Sequence, residues 1–272
     1  MVRIIFLTLL SFQLSLSGFH RQGFGARSRA MGGASVGLSD DVWSAVLNPA
    51  ALAQITAGDA GFFYSPQPFG LSELADIGVV AASGTPLGSV GIAVRRFGYS
   101  RYHEITGTLG YARVFENAGI GIAANFYSVS IERYGSASTI GFDIGMYVRL
   151  LEQFRWGVSV HNINTPSIGA ARDKLPQSFL VGIAYLPHIR VRLPFDIQKE
   201  TSYYPTPRFG FEYWPVDAVA FRAGYCDEQS EISSGLGIRI FSFQFDYAIV
   251  HHQELGWTQI GSVLLRFGGS DE

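Results

Sequence analysis

Ile140-Gly141-Phe142-Asp143-Ile144-Gly145-Met146-Tyr147-Val148-Arg149-Leu150 alternates without a break: each even position is large and apolar, each odd one is Gly, Asp, Tyr or Arg. A period of two belongs to a strand, whose successive side chains leave opposite faces. One face here is greasy and the other small or polar. The pattern returns in Phe154 to His161, Gln177 to Tyr185, Ala218 to Tyr225 and Leu236 to Phe241. Counted from Asp59 onward, such segments predict fourteen strands, near 59–65, 74–84, 88–98, 103–114, 118–132, 137–150, 154–163, 176–186, 189–199, 207–214, 218–226, 232–241, 243–251 and 257–267. Tight connections such as Thr85-Pro86-Leu87 and Leu151-Glu152-Gln153 alternate with mostly longer ones such as Asn164 to Leu175. That is the plan of an all-β, 14-stranded antiparallel transmembrane β-barrel, with both chain ends on the short-turn, periplasmic side.

The composition supports a wall in lipid. Of 272 residues, 15% are charged and 32 are Gly, against roughly 25% charged and about 7% Gly in soluble domains. A soluble sandwich or lipocalin-like barrel also alternates, but its outer face is charged, and too few charges are present to coat one. Trp156, Phe154, Trp214, Tyr185, Phe97 and Trp257 fall at strand ends, which suits two interfacial girdles. The net charge of -2 leaves no basic face for nucleic acid. The single cysteine, Cys226, excludes an internal disulfide and a Cys-built metal centre.

Three places break the pattern. Pro194 removes a ladder donor within the ninth strand and suggests a bulge. The phase of the fifth strand slips between Phe126 and Val129, again suggesting a bulge. Residues 268–272 form a tail after the last aromatic, Phe267.

Before the strands, Met1-Val2-Arg3, the apolar run Ile4 to Leu10 and Ser15-Leu16-Ser17-Gly18 read as a secretory signal peptide over 1–17. Its apolar run is too short for a spanning helix. Export then delivers the mature chain to the bacterial outer membrane. Residues 18–58 do not alternate. Gly32-Gly33 permits a sharp bend at positive φ, and Ser39, Asp40 or Asp41 can cap a short helix carrying Val42, Trp43 and Val46. Pro49 suits the first turn of another, with Asn48 as its cap. A compact, mostly helical or irregular piece of mixed polarity, tied to the start of a barrel, suits a hatch in the lumen.

The stretch Gly25-Ala26-Arg27-Ser28-Arg29-Ala30-Met31-Gly32-Gly33-Ala34, the acidic pair Asp40-Asp41, and Asn48-Pro49-Ala50 resemble the opening signature of FadL-like outer-membrane barrels, in particular the PorV/PorQ branch. His161-Asn162-Ile163 with Leu175-Pro176 and Val181 to Tyr185 is similar to that family's mid-barrel pattern. Phe245-Asp246-Tyr247-Ala248 with Leu255-Gly256 and Leu264 to Gly269 is similar to its closing segment. Asn164 departs, since a Gly is usual there. The resemblance implies fourteen strands and an N-terminal hatch built on Gly25, Arg27, Met31, Gly32, Gly33, Asp40, Asp41, Asn48 and Pro49.

The sequence carries no complete catalytic or cofactor pattern, so an enzyme is not expected. Gly33-Ala34-Ser35-Val36-Gly37 fits G-x-S-x-G, but no strand precedes it. Gly23-Phe24-Gly25 lacks the third glycine of a dinucleotide loop. His251 and His252 are neighbours on a strand and point to opposite faces, so they do not pair on a metal. If the greasy face meets lipid, the polar residues facing the lumen are Arg95, Glu104, Asn125, Asp143, Arg149, Arg155, His161, Glu212, Arg222, Arg239 and Asp246. Their mixed signs favour a salt-bridge network pinning the hatch, with arginine partners for Asp40 and Asp41, over a path that attracts substrate.

Three functions remain. The PorV/PorQ resemblance implies a protein-secretion or surface-export component that receives cargo through its outer loops, with exported proteins or secretion-machinery subunits as partners. The wider FadL resemblance implies a plugged channel for uptake of hydrophobic small molecules, gated at Gly32-Gly33 and Asn48-Pro49. A purely structural barrel is the third. The polar lumen and short outer loops favour the first.

Overall fold

The computed structural model describes residues 19, 23–201, 203–227 and 230–267. The leader at 1–17 and the tail at 268–272 lie outside the described residues. Strands β1 (Gly58–Ser65), β2 (Asp76–Thr85), β3 (Gly88–Gly98), β4 (Tyr102–Phe115), β5 (Ala118–Ile131), β6 (Gly135–Leu151) and β7 (Phe154–His161) form one half of the wall. After the small hairpin of β8 (Ser167–Ile168) and β9 (Asp173–Lys174) come β10 (Ser178–His188), β11 (Val191–Glu200), β12 (Thr206–Val216), β13 (Val219–Cys226), β14 (Glu231–Ile240), β15 (Phe243–His252) and β16 (Gly256–Phe267). Without the hairpin, fourteen strands pair antiparallel in chain order, and β1 joins β16 to close the barrel. Closure satisfies every edge, which is what lets a sheet stand in lipid.

The turns 86–87, 116–117, 152–153, 189–190, 217–218 and 241–242 lie at one end, with the start of β1 and the end of β16. The longer connections lie at the other. Alternation sorts the side chains as the pattern predicts. Ile92, Leu109, Ile122, Phe142, Val181, Phe209 and Phe245 stand exposed on the outer face, while Asn125, Asp143, Asp196, Glu212 and Asp246 are buried within. Among the described residues no helix is long and apolar enough to cross a membrane; the strands carry the apolar band.

Eight strands enclose a space that side chains alone can fill, and more strands leave a wider lumen. The segment before β1 occupies it. Helix α1 (Gly25–Ala30) is followed by a bend at Gly32 and Gly33, both at positive φ, then by 3-10 turns at Ser44–Val46 and Pro49–Gln54. Phe24, Trp43 and Leu52 join Phe63, Val80, Ile260 and Leu264 of the wall in one apolar cluster. Elsewhere backbone meets backbone. A Cβ on Gly37 would fall 2.6 Å from the Gly182 carbonyl carbon, and one on Gly210 would fall 3.0 Å from the Met31 carbonyl oxygen. Inward glycines of the wall, among them Gly121, Gly145 and Gly157, face hatch atoms in the same way.

Four expectations are corrected. At Pro194 there is no bulge: pairing to β12 stops at Arg192↔Glu212 and resumes in the same register at Phe195↔Phe209. The ladder simply loses a donor, and the ring packs near Gly210. In β5 the register to both neighbours is unbroken through Phe126 to Val129. The apparent slip arises because Tyr127 and Val129 are apolar yet face inward, beneath Ile168 and Leu175 of the 162–177 loop. Trp214 and Phe97 do not belong to a lipid girdle. Both lie on the inward phase of their strands, and Arg239 and Arg95 respectively lie over their rings at 4.4 and 5.9 Å. Phe154 and Tyr185 do stack on the outside, 4.8 Å apart.

Ile122 is exposed near the middle of β5. If that face contacts lipid, Ile122→Arg costs about 2–4 kcal/mol, read as a lower urea midpoint for refolding into vesicles. A midpoint equal to wild type would place this face in water.

Candidate functional site

The hatch is joined to the wall by buried charge. Arg27 sits in α1, and its guanidinium forks onto Glu212 of β12, with Nε donating to Oε2 at 2.8 Å and Nη2 to Oε1 at 2.9 Å. Its Nη1 donates to Asp40 at 2.7 Å and to Asp41 at 2.6 Å. Glu212 also accepts from Arg192 Nη1 at 3.0 Å and Arg222 Nε at 2.7 Å, and Arg222 Nη1 reaches Asp246 at 2.8 Å. Arg192 Nε lies 3.3 Å from Asp40. Three guanidinium groups therefore share four carboxylates. Burial alone would lower the Arg27 pKa, but Asp40, Glu212 and Asp41 hold it well above its ordinary value. Burial would likewise raise that of Asp40, yet Arg27 and Arg192 leave it lowered. Asp41 also starts the 3-10 turn at Ser44, since its Oδ1 accepts from the Ser44 amide and hydroxyl, each at 2.7 Å.

Three further pins are not ionic pairs. Asp196 of β11 accepts from the amides of Ser35, Val36 and Gly37 at 2.7, 2.7 and 3.3 Å. Asn48 accepts from Ala50 N at 3.1 Å, capping the Pro49–Gln54 turn, while its Nδ2 donates to Met146 O of β6 at 3.1 Å. Gly32 N donates to Ser233 Oγ of β14 at 3.1 Å.

The remaining lumen residues fall into separate groups. Asp143 accepts from Asn162 N at 2.9 Å and lies 2.9 Å from His161 Nδ1. Ser159 Oγ is 3.4 Å from the other ring nitrogen. The order Ser, His, Asp is that of a hydrolase relay, but Ser159 has no exposed surface, so no substrate carbonyl can reach it. Asn125 Oδ1 accepts from Thr108 Oγ1 at 2.7 Å. Glu104 accepts from Phe19 N at 2.8 Å. Arg95 is bidentate on Asp76, at 2.8 and 2.9 Å. Arg155 and Arg239 turn toward the short-turn mouth, and Arg149 shares the inward phase but stands exposed at that rim. His251 lies tilted against Trp257, ring centroids 4.3 Å apart, while His252 Nδ1 accepts from the Glu254 and Leu255 amides.

Arg192, Asp196 and Asp76 also face the lumen, and the sequence pattern did not single them out. In β11 the alternation of Val191, Leu193, Phe195 and Ile197 with Arg192, Asp196 and Gln198 carries the signal, but Pro194 in the polar phase obscures it.

At the long-loop end, a recess of about 210 Å³ opens between the wall and the edge of the hatch. Phe63, Phe69, Leu74, Phe97 and Ile260 supply an apolar lining, with the Arg95–Asp76 pair at one side.

No family model matches the chain, and no curated protein matches it in sequence. Solved structures do match in fold. The CymD monoaromatic hydrocarbon channel superposes with a TM-score of 0.69 at 15% identity, over 90% of this chain and 98% of that one. The toluene transporter TbuX of Ralstonia pickettii gives 0.67 at 13% identity, over 92% and 100%. A FadL homologue of Pseudomonas aeruginosa gives 0.65 at 13% identity, over 90% and 100%. The chain thus has the FadL-like fold: a fourteen-stranded barrel with an irregular N-terminal piece.

Removing Arg27 leaves buried Asp41 with no arginine and takes the helix-borne partner from Glu212 and Asp40, which keep Arg192. Arg27→Ala is expected to destabilise by about 3–5 kcal/mol, measured by chemical unfolding, and to raise single-channel conductance. Arg27→Lys recovers little, because a point charge cannot reproduce the fork. Retention of wild-type conductance in Arg27→Ala would show that the network does not hold the hatch. The lowered Asp40 pKa predicts an acid effect. Its stabilising contribution is present above the ordinary carboxyl pKa and is lost as pH falls through the lowered folded value. Conductance should therefore rise on strong acidification, and more weakly in Asp40→Asn.

Proposed function

We propose that this chain is an outer-membrane channel for small hydrophobic compounds, closed at rest by its N-terminal hatch. The observation that carries this reading is the apolar recess at the long-loop end. It lies where a solute entering past the outer loops first meets the hatch. An engineered cavity of about 150 Å³ lined by Leu, Ile and Phe binds benzene, so a recess of about 210 Å³ suits a single aromatic ring. The likeness in fold to structures described as hydrocarbon and toluene channels supports the same reading.

The polar residues of the lumen do not speak for secretion, because Glu212, Arg222 and Asp246 are engaged with the hatch and with one another rather than with a path. The N-terminal motif that suggested a secretion component is likewise occupied: Arg27, Asp41 and Asn48 are buried in contacts that hold a plug. The motif therefore speaks for a hatch, whatever the barrel transports. Gating at Gly32-Gly33 and Asn48-Pro49 is part of the proposal, and it requires release of the Ser233 and Met146 hydrogen bonds.

Leu74→Trp fills the recess without touching the ionic network. It should lower toluene uptake into proteoliposomes by roughly tenfold, equivalent to about 1.4 kcal/mol of site occupancy, with heat-dependent gel mobility retained. Unchanged uptake would remove the recess from the route. A deletion strain with altered secreted proteins and unimpaired toluene uptake would instead restore the secretion reading.

A further inference from the structure

A second cavity, of about 380 Å³, opens at the opposite, short-turn mouth, below the ionic network. Of its charged lining residues, Arg27 and Arg192 are paired with Asp40 and Glu212. Arg266 stands across from Asp59 in the β1–β16 register. Arg155 and Arg239 are left with no carboxylate within ion-pair distance among the described residues. Arg155 makes a single long bond, from Nη1 to Leu38 O at 3.3 Å, and Arg239 one from Nη2 to Gln244 Oε1 at 3.4 Å.

Hydrogen bonding around this cavity is also unbalanced. Four of its lining residues carry a buried donor with no acceptor: Gln54 Nε2, Arg155 Nε, Trp214 Nε1 and Arg239 Nε. None of its lining residues carries a buried acceptor without a donor. Trp214 is only 6% exposed, and Arg239 lies 4.4 Å over its ring. A buried donor left unmade is destabilising, and four around one space, two of them on the unpaired cations Arg155 and Arg239, describe a receptor for an acceptor-only, negatively charged group.

We propose that this mouth binds a phosphate-type oxyanion, held by Arg155 and Arg239 with Trp214 beside it. A phosphate has several acceptor oxygens and no obligatory donor, which matches a lining of donors. Free phosphate on the periplasmic side and the headgroup of an anionic lipid share this chemistry. The site is separate from the recess at the other end, and it does not depend on what the channel transports.

Trp214 provides the readout. Inorganic pyrophosphate titrated into detergent-purified protein should change tryptophan fluorescence saturably, and Trp214→Phe should abolish the change. Arg155→Gln and Arg239→Gln should each weaken binding by roughly tenfold or more, as expected for a lost charged hydrogen bond. Arg133→Gln, at the opposite end, should not. Heat-dependent gel mobility establishes that each variant is folded. In vesicles, protection of Trp214 from acrylamide by phosphatidylglycerol but not phosphatidylcholine would identify the lipid headgroup as the source. Protection by pyrophosphate alone would identify the free anion. Absence of saturable binding by calorimetry, or equal affinity in wild type, Arg155→Gln and Arg239→Gln, would overturn the proposal.

Discussion

A strand in lipid has no water to satisfy its backbone, so the wall must close on itself. With fourteen strands that closure creates a lumen wider than wall side chains can fill, and most other features answer to this. Glycine on the inward phase lets the hatch backbone lie against the wall, as at Gly37 against Gly182. Low charge on the outer phase keeps ions out of hydrocarbon. Charges midway along the wall, Glu212, Arg222 and Asp246 among them, are turned inward and paired, and Arg27 with Glu212 is one of the ion pairs that join plug to wall.

The outer phase was legible because lipid imposes a simple rule on it. Ile140, Phe142 and Ile144 are apolar for one reason only, so period two reads cleanly and the strand count follows. The inner phase obeys several rules at once. Trp214 and Phe97 look like girdle residues by composition, but they serve as platforms for Arg239 and Arg95. Tyr127 and Val129 look like a phase error, yet they support the loop above them. Such positions take their identity from a partner distant in sequence, and a local pattern does not carry that information.

The hatch shows the same division. Asn48 before Pro49 and the bend at Gly32-Gly33 were legible, since capping and positive φ are local properties. That Asp40 and Asp41 would meet arginine followed from burial and sign. Which arginines they meet did not, because Arg192 lies 152 residues beyond Asp40, a separation set by the barrel's closure rather than by any motif. Asp196 is a stronger case: its role is to accept three consecutive amides that have no side-chain signature.

The Arg27–Glu212 pair spans 185 residues of chain, and Ala26 N reaches Ser262 Oγ of β16 across 236. The hatch precedes β1 in the chain, yet its partners include β12, β14 and β16, far along it. Contacts of such separation are slow to form, because the loop entropy must be overcome before they contribute. Seating the hatch and sealing the seam between β1 and β16 therefore draw on the same long-range separations, since the hatch bonds to the strand that closes the wall.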